Sequence, residues 1–170
     1  MLKVYCSPLR GLSGSAAVYS LLGHAFQAEY GCVAPEIKKT PLGKPFFPDK
    51  PDVHFSLSHA KTHVLCAISD KPVGADIESP RHISERAIQY FSTPEERSLF
   101  DPLDLWVLKE SYIKLIGSNL ALVKKIHFSF ENGQIITPGK LAISRLYHIE
   151  SCSAAISAYD DHLPDSIELI

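Results

Sequence analysis

The stretch Val73-Gly74-Ala75-Asp76-Ile77-Glu78 predicts a short strand that carries two carboxylates. Side chains alternate along a strand, so Asp76 and Glu78 share one face while Ile77 points into apolar packing on the other. Gly74 leaves room for another backbone or a ligand to approach closely. Two carboxylates that project together from a strand end form half of a site for a hard cation such as Mg²⁺. An edge strand that turns polar as it leaves its sheet would give the same pattern.

The residues before this strand predict one helix and three further strands. In order, these are a strand at residues 2–6, a helix at 13–30, and strands at 53–57 and 64–69. Ser13 is the expected N-cap of the helix and Gly31 its stop signal. Residues 35–51, rich in Pro, Lys and Gly, are expected to be irregular. Asp70-Lys71-Pro72 predicts a hairpin between the strand before it and the strand after it.

The residues after this strand predict helices and then a second set of strands. The helices are at residues 84–90, 94–100 and 102–116, and the strands are at 125–130, 134–136, 140–149 and 152–159. Thr93 and Pro94 suit the start of a helix, Gly117 its end, and Asn132-Gly133 a hairpin turn. This order predicts an α+β fold of two similar halves. We expect an N-terminal half at 1–80, a C-terminal half at 81–159 and an acidic tail at 160–170.

Composition narrows the class of protein. A 170-residue chain that is 45% hydrophobic with a net charge of -2 has the character of an ordinary globular protein, which excludes a disordered chain. We see neither a secretory signal nor an apolar run long enough for a membrane span, and the four separated cysteines suit buried reduced thiols. A cytoplasmic protein is therefore expected. The weak charge balance argues against a nucleic-acid partner and is compatible with a small anionic ligand.

The predicted helix at 102–116 carries a second group of chemically active side chains. Trp106, Glu110 and Lys114 fall on one stripe of this helix. An exposed Glu–Lys pair four residues apart would have the same spacing. Because the chain's only Trp lies on this stripe, we expect the face to be largely buried, where a carboxylate and an ammonium need partners. A metal ion and a phosphate would supply both.

Three further side chains have both a functional and a structural interpretation. Ser58 and His59 stand where a predicted strand ends, and both could reach a phosphate oxygen, although a hydrogen-bonded structural histidine is the commoner case. Lys44, between Gly43 and Pro45, could equally be a solvated loop lysine. His59 and His63 have a spacing seen in zinc sites, but they lie across a predicted loop without a third ligand, so zinc is not expected.

Taken in order, five stretches resemble the signature blocks of the phosphopantetheinyl transferases, specifically the monomeric, surfactin-synthetase-activating type. These are GKP at 43–45, FSLSH at 55–59, VGADIE at 73–78, FSTPE at 91–95 and WVLKESYIKLIG at 106–117. The resemblance implies two pseudo-symmetric halves, each a helix packed on a small, mostly antiparallel sheet, with the active site in the cleft between them. It also implies transfer of the 4'-phosphopantetheine arm of coenzyme A to a serine of an acyl, peptidyl or aryl carrier protein, releasing adenosine 3',5'-bisphosphate.

The resemblance further implies a role for each residue of these blocks. Asp76, Glu78 and Glu110 would bind Mg²⁺, or Mn²⁺ in its place. Glu110 would also act as the base, and the catalytic set would be Glu110, Lys114 and His59. Lys114, Ser58 and His59 would contact the phosphates of coenzyme A. Gly43, Lys44 and Pro45 would line its adenine end, and Glu95 would orient Lys114 or the metal region.

The chain departs from the family pattern at two places. The predicted first helix contains no Lys or Arg to hold the 3'-phosphate of coenzyme A, and Ser118-Asn119 replaces the usual Lys-Gly. Either coenzyme A binds more weakly, or Lys38, Lys39 or Arg10 holds it instead. Two alternatives therefore stay open: a coenzyme A- or carrier-binding module of the same fold with weakened turnover, and a Mg²⁺-dependent phosphodiesterase that uses the same carboxylates.

Overall fold

The computed structural model describes residues 1–11, 13–139, 141–160 and 162–170. Lys140, the predicted start of a strand, and Asp161 of the predicted acidic tail lie outside these ranges. The strands are β1 (Leu2–Pro8), β2 (Lys38–Lys39), β3 (Pro45–Phe46), β4 (His54–His59), β5 (His63–Ser69), β6 (Val73–Glu78), β7 (Ser129–Glu131), β8 (Gln134–Ile136), β9 (Ile143–Ile149), β10 (Cys152–Ala158) and β11 (Glu168–Leu169). The helices are α1 (Gly14–Tyr30), α2 (Glu85–Phe91), α3 (Pro94–Leu99), α4 (Pro102–Leu115) and a 3₁₀ helix (Leu120–Lys125).

Two main sheets organise the chain. The first has the order β11-β1-β5-β4, in which only the β1–β11 pair is parallel. The second has the order β6-β10-β9 and is antiparallel throughout. Two small ladders, β2–β3 and β7–β8, complete the described sheets. These helices and small, mostly antiparallel sheets confirm the predicted α+β fold class, whereas the predicted boundary between halves near residue 80 stays a prediction.

The predicted hairpin at Asp70-Lys71-Pro72 is wrong. These residues carry the chain from β5 in the first sheet to β6 in the second, where β6 pairs with β10. The physical reason is that both edges of β5 are already occupied, one by β1 and the other by β4. The hairpin lies one connection earlier, between β4 and β5, where the Ala60 amide donates to the His63 carbonyl at 2.8 Å.

The sheets and helices stack in four layers around three apolar cores. One face of the first sheet packs on α1 through residues such as Phe26 and Phe55. Its other face meets the second sheet, where Leu65 and Ile77 belong to one buried cluster. The far side of the second sheet packs on α4, which contributes Leu108 to the third core. The buried layer between the two sheets holds them together.

Gly74 of β6 allows α4 to approach the second sheet closely. A Cβ atom on Gly74 of β6 would lie 1.9 Å from the Ser111 carbonyl oxygen and 2.4 Å from the Leu115 amide nitrogen. The prediction that Gly74 admits a close approach is confirmed, and the partner is the backbone of α4. This contact fixes where the C-terminal turn of α4 stands relative to β6, and therefore positions the side chains that both elements present.

Local sequence signals predict most helix ends correctly. The predicted and observed elements differ mainly where the elements are short. Ser13 caps α1 by accepting from the Ala16 amide at 3.3 Å, and Gly31 closes the helix at φ +69°. The segment 35–51 was expected to be irregular but contains β2 and β3, and the 3₁₀ helix and β11 had no counterpart in the prediction. Ladders of two residues depend on tertiary partners, so sequence periodicity does not reveal them.

No helix within the described ranges combines the length and apolar character needed to cross a membrane.

All four cysteines are free thiols, as predicted, but their burial differs. Cys6, Cys66 and Cys152 are buried, whereas Cys32 is exposed, which corrects the expectation that all four are buried. Cys32 directly follows Gly31, the residue that ends α1, and so stands outside the packed face of that helix.

Candidate active site

Asp76 is the centre of the candidate site. Its side chain projects from β6 and is only 5% exposed. Oδ1 accepts two hydrogen bonds, one from the Ser58 hydroxyl at 2.7 Å and one from the Lys114 ammonium at 2.7 Å. Oδ2 is buried and accepts from no residue that the structure describes. A buried carboxylate oxygen without a partner carries a desolvation cost, so the site is built to receive a further positive or hydrogen-bonding group.

Lys114 connects the two sheets beside Asp76. Its ammonium donates to the Ala75 carbonyl of β6 at 3.1 Å and to the Leu57 carbonyl of β4 at 3.3 Å, in addition to Asp76. Three acceptors match the three protons of an ammonium. Lys114 is therefore held at the junction of β4, β6 and α4, with its charge on the same carboxylate that the sequence predicts as a metal ligand.

Glu110 and Glu78 complete the acidic group. Glu110 lies one turn before Lys114 on α4, and burial, reinforced by the negative charge of Asp76, raises its pKa to about 7. Burial also raises the pKa of Glu78, although Arg81, whose Nε lies 3.5 Å from its carboxylate, opposes the shift. Asp76 raises the pKa of both glutamates, so each glutamate lies within range of the Asp76 charge. The face of α4 that carries Trp106, Glu110 and Lys114 is predicted to be largely buried. In the structure all three side chains are only half-buried.

The donor set fits a hard cation. Carboxylate oxygens are the ligands that Mg²⁺ prefers, and the unpartnered Oδ2 of Asp76 is the kind of atom that a cation satisfies. Within the described part of the chain, no three His, Cys, Asp or Glu side chains are arranged to hold a metal ion as they stand. The placement of Asp76, Glu78 and Glu110 as a ligand set therefore stays a prediction.

A cavity of about 260 Å³ joins the predicted adenine-binding turn to the site. It is lined by Gly43, Lys44 and Pro45 on one side and by Lys114 and Gly117 on the other, so the structure brings these sequence-predicted residues together. Gly43 has φ +87°, a conformation that favours glycine in this turn.

The Lys44 side chain is not a solvated loop lysine. Its ammonium donates to the Lys114 carbonyl at 2.7 Å and to the Leu115 carbonyl at 3.3 Å. Burial lowers its pKa. Lys44 therefore caps the C-terminal end of α4, where a positive charge is favourable next to unpaired carbonyl groups.

Ser58 and His59 point to different neighbours. The Ser58 hydroxyl is bonded to Asp76, whereas His59 is exposed and its ring lies against the start of α1. A Cβ atom on Gly14 would lie only 2.7 Å from Nδ1 of His59, so glycine at this position makes room for the imidazole. His59 therefore stands at the first turn of α1, while Ser58 belongs to the carboxylate group.

Sequence reasoning missed a buried ion pair that supports α4. Lys109 is completely buried, and its ammonium donates to Glu96 at 2.9 Å and to the carbonyl oxygens of Phe91 and Val123. Glu96 also accepts from the Thr93 and Phe128 amides, each at 2.9 Å. The Thr93-x-x-Glu96 spacing of a capping box was the available signal.

The expectation for Glu95 is not supported by the structure. Glu95 is exposed in the first turn of α3, and the three hydrogen bonds described for Lys114 go to Leu57, Ala75 and Asp76 instead. The neighbouring Glu96 instead contacts Lys109, the residue that precedes Glu110 on α4.

Comparison with known proteins gives consistent matches. A family model for the 4'-phosphopantetheinyl transferase superfamily matches residues 72–163, which include Asp76, Glu78, Glu110 and Lys114. The chain is 36% identical over 123 residues to the 4'-phosphopantetheinyl transferase Sfp of Bacillus subtilis (strain 168), covering 66% of this chain and 54% of that protein. It is 37% identical over 93 residues to the 4'-phosphopantetheinyl transferase gsp of Aneurinibacillus migulanus, covering 49% of this chain and 38% of that protein. The chain thus spans about half the length, or less, of these curated relatives.

Proposed function

This chain belongs to the 4'-phosphopantetheinyl transferase superfamily, and from that premise we propose that it transfers the 4'-phosphopantetheine arm of coenzyme A to a serine of an acyl or peptidyl carrier protein. Adenosine 3',5'-bisphosphate is the second product. The observation that carries the proposal is the buried Asp76 carboxylate, which has one oxygen free and stands beside Lys114 and near Glu110. This arrangement suits a reaction in which the charge of a diphosphate must be neutralised and a hydroxyl must lose its proton.

Asp76, Glu78 and Glu110 would hold Mg²⁺, or Mn²⁺ in its place. When bound, the ion neutralises and aligns the diphosphate of coenzyme A. The chain's own contribution is a fixed ligand: Asp76 is nearly buried and already oriented by two donors.

The reaction exchanges one oxygen–phosphorus bond for another. The carrier serine oxygen attacks the phosphorus that bears the pantetheine arm, and the bond from that phosphorus to the bridging oxygen of the diphosphate breaks. The bridging oxygen leaves with adenosine 3',5'-bisphosphate. Glu110 would accept the serine proton, directly or through water. The Lys114 ammonium is held by Leu57, Ala75 and Asp76, and its positive charge would stabilise the negative charge on the leaving oxygens through space.

Coenzyme A would bind along the cavity that ends at Lys114. Gly43, Lys44 and Pro45 line this cavity and would contact the adenine end. His59 is exposed at the start of α1 and would meet a phosphate group. Lys38 and Lys39 of β2 are also exposed and are available for the 3'-phosphate.

An apolar groove with a basic rim would receive the carrier protein. The groove has a volume of about 570 Å³ and includes Tyr90, Trp106 and Leu120 among its lining residues. Tyr90 and Leu120 are 57% and 47% exposed, an arrangement that suits a partner's apolar side chains. The groove adjoins the site because Arg81, which pairs with Glu78, stands 5.8 Å above the Trp106 ring.

The charges on the rim of this groove favour an acidic partner. Arg86 lines the groove and has no ion-pair partner among the described residues, and Lys124 stands 3.9 Å from the Tyr90 ring centroid. We expect Arg86→Glu and Lys124→Glu to raise the KM for an acidic carrier, with an effect that fades at high salt. Lys3→Glu, at an exposed position on β1, is the matched control. An unchanged KM in both groove variants would contradict this docking surface.

One experiment tests the proposed function and separates the alternatives. The protein is incubated with fluorescent coenzyme A and a panel of apo carrier proteins, with and without Mg²⁺. Transfer should require Mg²⁺ and should be lost in folded Asp76→Ala and Glu110→Ala variants, while Glu131→Ala, at an exposed position on β7, retains it. Binding without labelling would identify a binding module, and phosphoester hydrolysis without a carrier would identify a phosphodiesterase.

We also propose that the protein is a cytoplasmic monomer. Cell fractionation tests its localisation, and light scattering tests its oligomeric state.

A further inference from the structure

Both donors to Asp76 end on the same oxygen. Ser58 and Lys114 each approach Oδ1 at 2.7 Å, and Oδ2 remains without a partner among the described residues although it is buried. If one donor had bonded to each oxygen, the carboxylate would have been satisfied within the protein. The observed arrangement instead fixes the rotation of the carboxylate and keeps one oxygen available.

Ser58 reaches Asp76 from the other sheet. It lies on β4, which pairs with β5 in the first sheet, whereas Asp76 lies on β6 of the second. Ser56, two residues earlier on the same face of β4, makes a parallel contact, because its hydroxyl accepts from the Ala75 amide at 2.9 Å. The two serines therefore bridge the sheets side by side, but only Ser58 touches the carboxylate.

The bond to Asp76 uses the single proton of the Ser58 hydroxyl. A serine has one O–H donor, and an ionised phosphate oxygen only accepts hydrogen bonds. While Ser58 donates to Asp76, it has no proton to offer to a phosphate of coenzyme A. In this structure the Ser58 hydroxyl therefore donates to Asp76.

We propose that Ser58 is a positioning residue that turns the Asp76 carboxylate so that Oδ2 is presented to a divalent cation. This inference rests on the proposed function, since the cation is part of that function. A hydrogen bond that orients a metal ligand commonly changes metal affinity by about 10- to 100-fold when it is removed. Lys114 alone would leave the carboxylate held from one side, with rotation about its side-chain bonds less restricted.

The test measures metal binding without any substrate. Mn²⁺ affinity is determined by electron paramagnetic resonance for the parent protein and for Ser58→Ala, Ser58→Thr and Ser56→Ala. We expect Ser58→Ala to weaken Mn²⁺ binding by about tenfold and Ser58→Thr, which keeps the hydroxyl, to restore most of it. Ser56→Ala removes the neighbouring bridge and should leave Mn²⁺ affinity unchanged. Coenzyme A affinity, measured without metal, should be the same in the parent protein and Ser58→Ala.

Different results overturn different parts of the proposal. Unchanged Mn²⁺ affinity in Ser58→Ala, or an equal loss in Ser56→Ala, would overturn the positioning role, as would a loss confined to coenzyme A affinity. If Ser58→Ala does not fold, Ser58→Cys provides the same test, because a thiol is only a weak donor. A parent protein that binds no Mn²⁺ and transfers nothing would overturn the proposed function itself, whereas normal transfer with an unaffected Ser58→Ala would overturn only this inference.

Discussion

Glu110 shows how strongly one residue depends on the fold around it. Its pKa is raised from an ordinary value of 4.5 to about 7, first by burial and then by Asp76. Between these two values the unfolded chain loses its proton while the folded protein keeps it, so metal-free protein loses stability as pH rises from about 4.5 to about 7. Above this range the loss is complete. Its size is on the order of 1–2 kcal/mol, since solvent screens a partly exposed group.

Glu110→Gln tests this pH dependence. In EDTA we expect the variant to match the parent near pH 4.5 and to exceed its free energy of unfolding by about 1–2 kcal/mol at pH 8, because the amide carries no charge to bury. Urea unfolding at a series of pH values measures the difference. Two profiles that run parallel across this range would contradict the shift of the Glu110 pKa.

The residues of the candidate site could be predicted from the sequence, but the contacts between them could not. A period of two placed Asp76 and Glu78 on one face of a strand, and a period of 3.6 placed Glu110 and Lys114 on one helix stripe. The Ser58–Asp76 and Lys114–Asp76 bonds join different sheets and elements. No local pattern encodes which oxygen each donor reaches, so the free Oδ2 emerges only from the tertiary structure.

At the scale of elements, the approach of α4 to β6 depends on Gly74. Gly74→Ala would place a Cβ atom 1.9 Å from the Ser111 carbonyl oxygen, so the helix would have to move. We expect a loss of about 3 kcal/mol or more in the free energy of unfolding, at the upper end of overpacking costs. Gly23→Ala on α1, where nothing lies within 4 Å of the added atom, should instead stabilise the protein by about 0.5–1 kcal/mol. Chemical denaturation of both variants measures the contrast, and similar effects would refute it.

Lys109 and Glu96 should stabilise the folded protein only when both are present. Lys109→Met leaves the Glu96 carboxylate buried without its cation and should cost about 3–5 kcal/mol, because a buried charge has lost its partner. The double variant Lys109→Met/Glu96→Leu should cost less than the sum of the two single changes. A double-mutant cycle in urea gives the coupling, with the exposed Asp165→Asn as a control expected to cost about 0.5 kcal/mol or less. Simple additivity would contradict a coupled pair.

Elements that depend on local rules were predictable, whereas their pairing was not. The caps at Ser13 and Thr93 and the stop at Gly117 are local chemistry, and α1, α3 and α4 formed close to the expected positions. Strand pairing is set by residues far apart in the chain, which is why the turn at 70–72 was misassigned to a hairpin. The 3₁₀ helix ends at Lys125, the residue at which the sequence predicts a strand to begin.

At the scale of the whole molecule, the proposed metal site would couple metal binding to folding. Asp76, Glu78 and Glu110 come from β6 and α4, so a bound cation would stabilise the packing of the folded chain over the unfolded one. Mg²⁺ at ten times its Kd should add about 1.4 kcal/mol, or roughly 3–6 °C in Tm. Calorimetry in Mg²⁺ and in EDTA measures this, and Asp76→Asn should reduce the difference. Equal melting temperatures in the parent protein would count against the metal site.

The passage of the chain from one sheet to the other after β5 makes the protein suitable for a split reporter. A gene divided within residues 70–72 would leave β1, β5 and β4 on one fragment and β6, β10 and β9 on the other, with only the two-residue β1–β11 ladder shared between them. The first fragment would carry Lys44 and Ser58, and the second would carry all three carboxylates and Lys114. Under the proposed function, fusing each fragment to one member of an interacting pair would make carrier labelling a readout of that interaction, since neither fragment holds the whole proposed site.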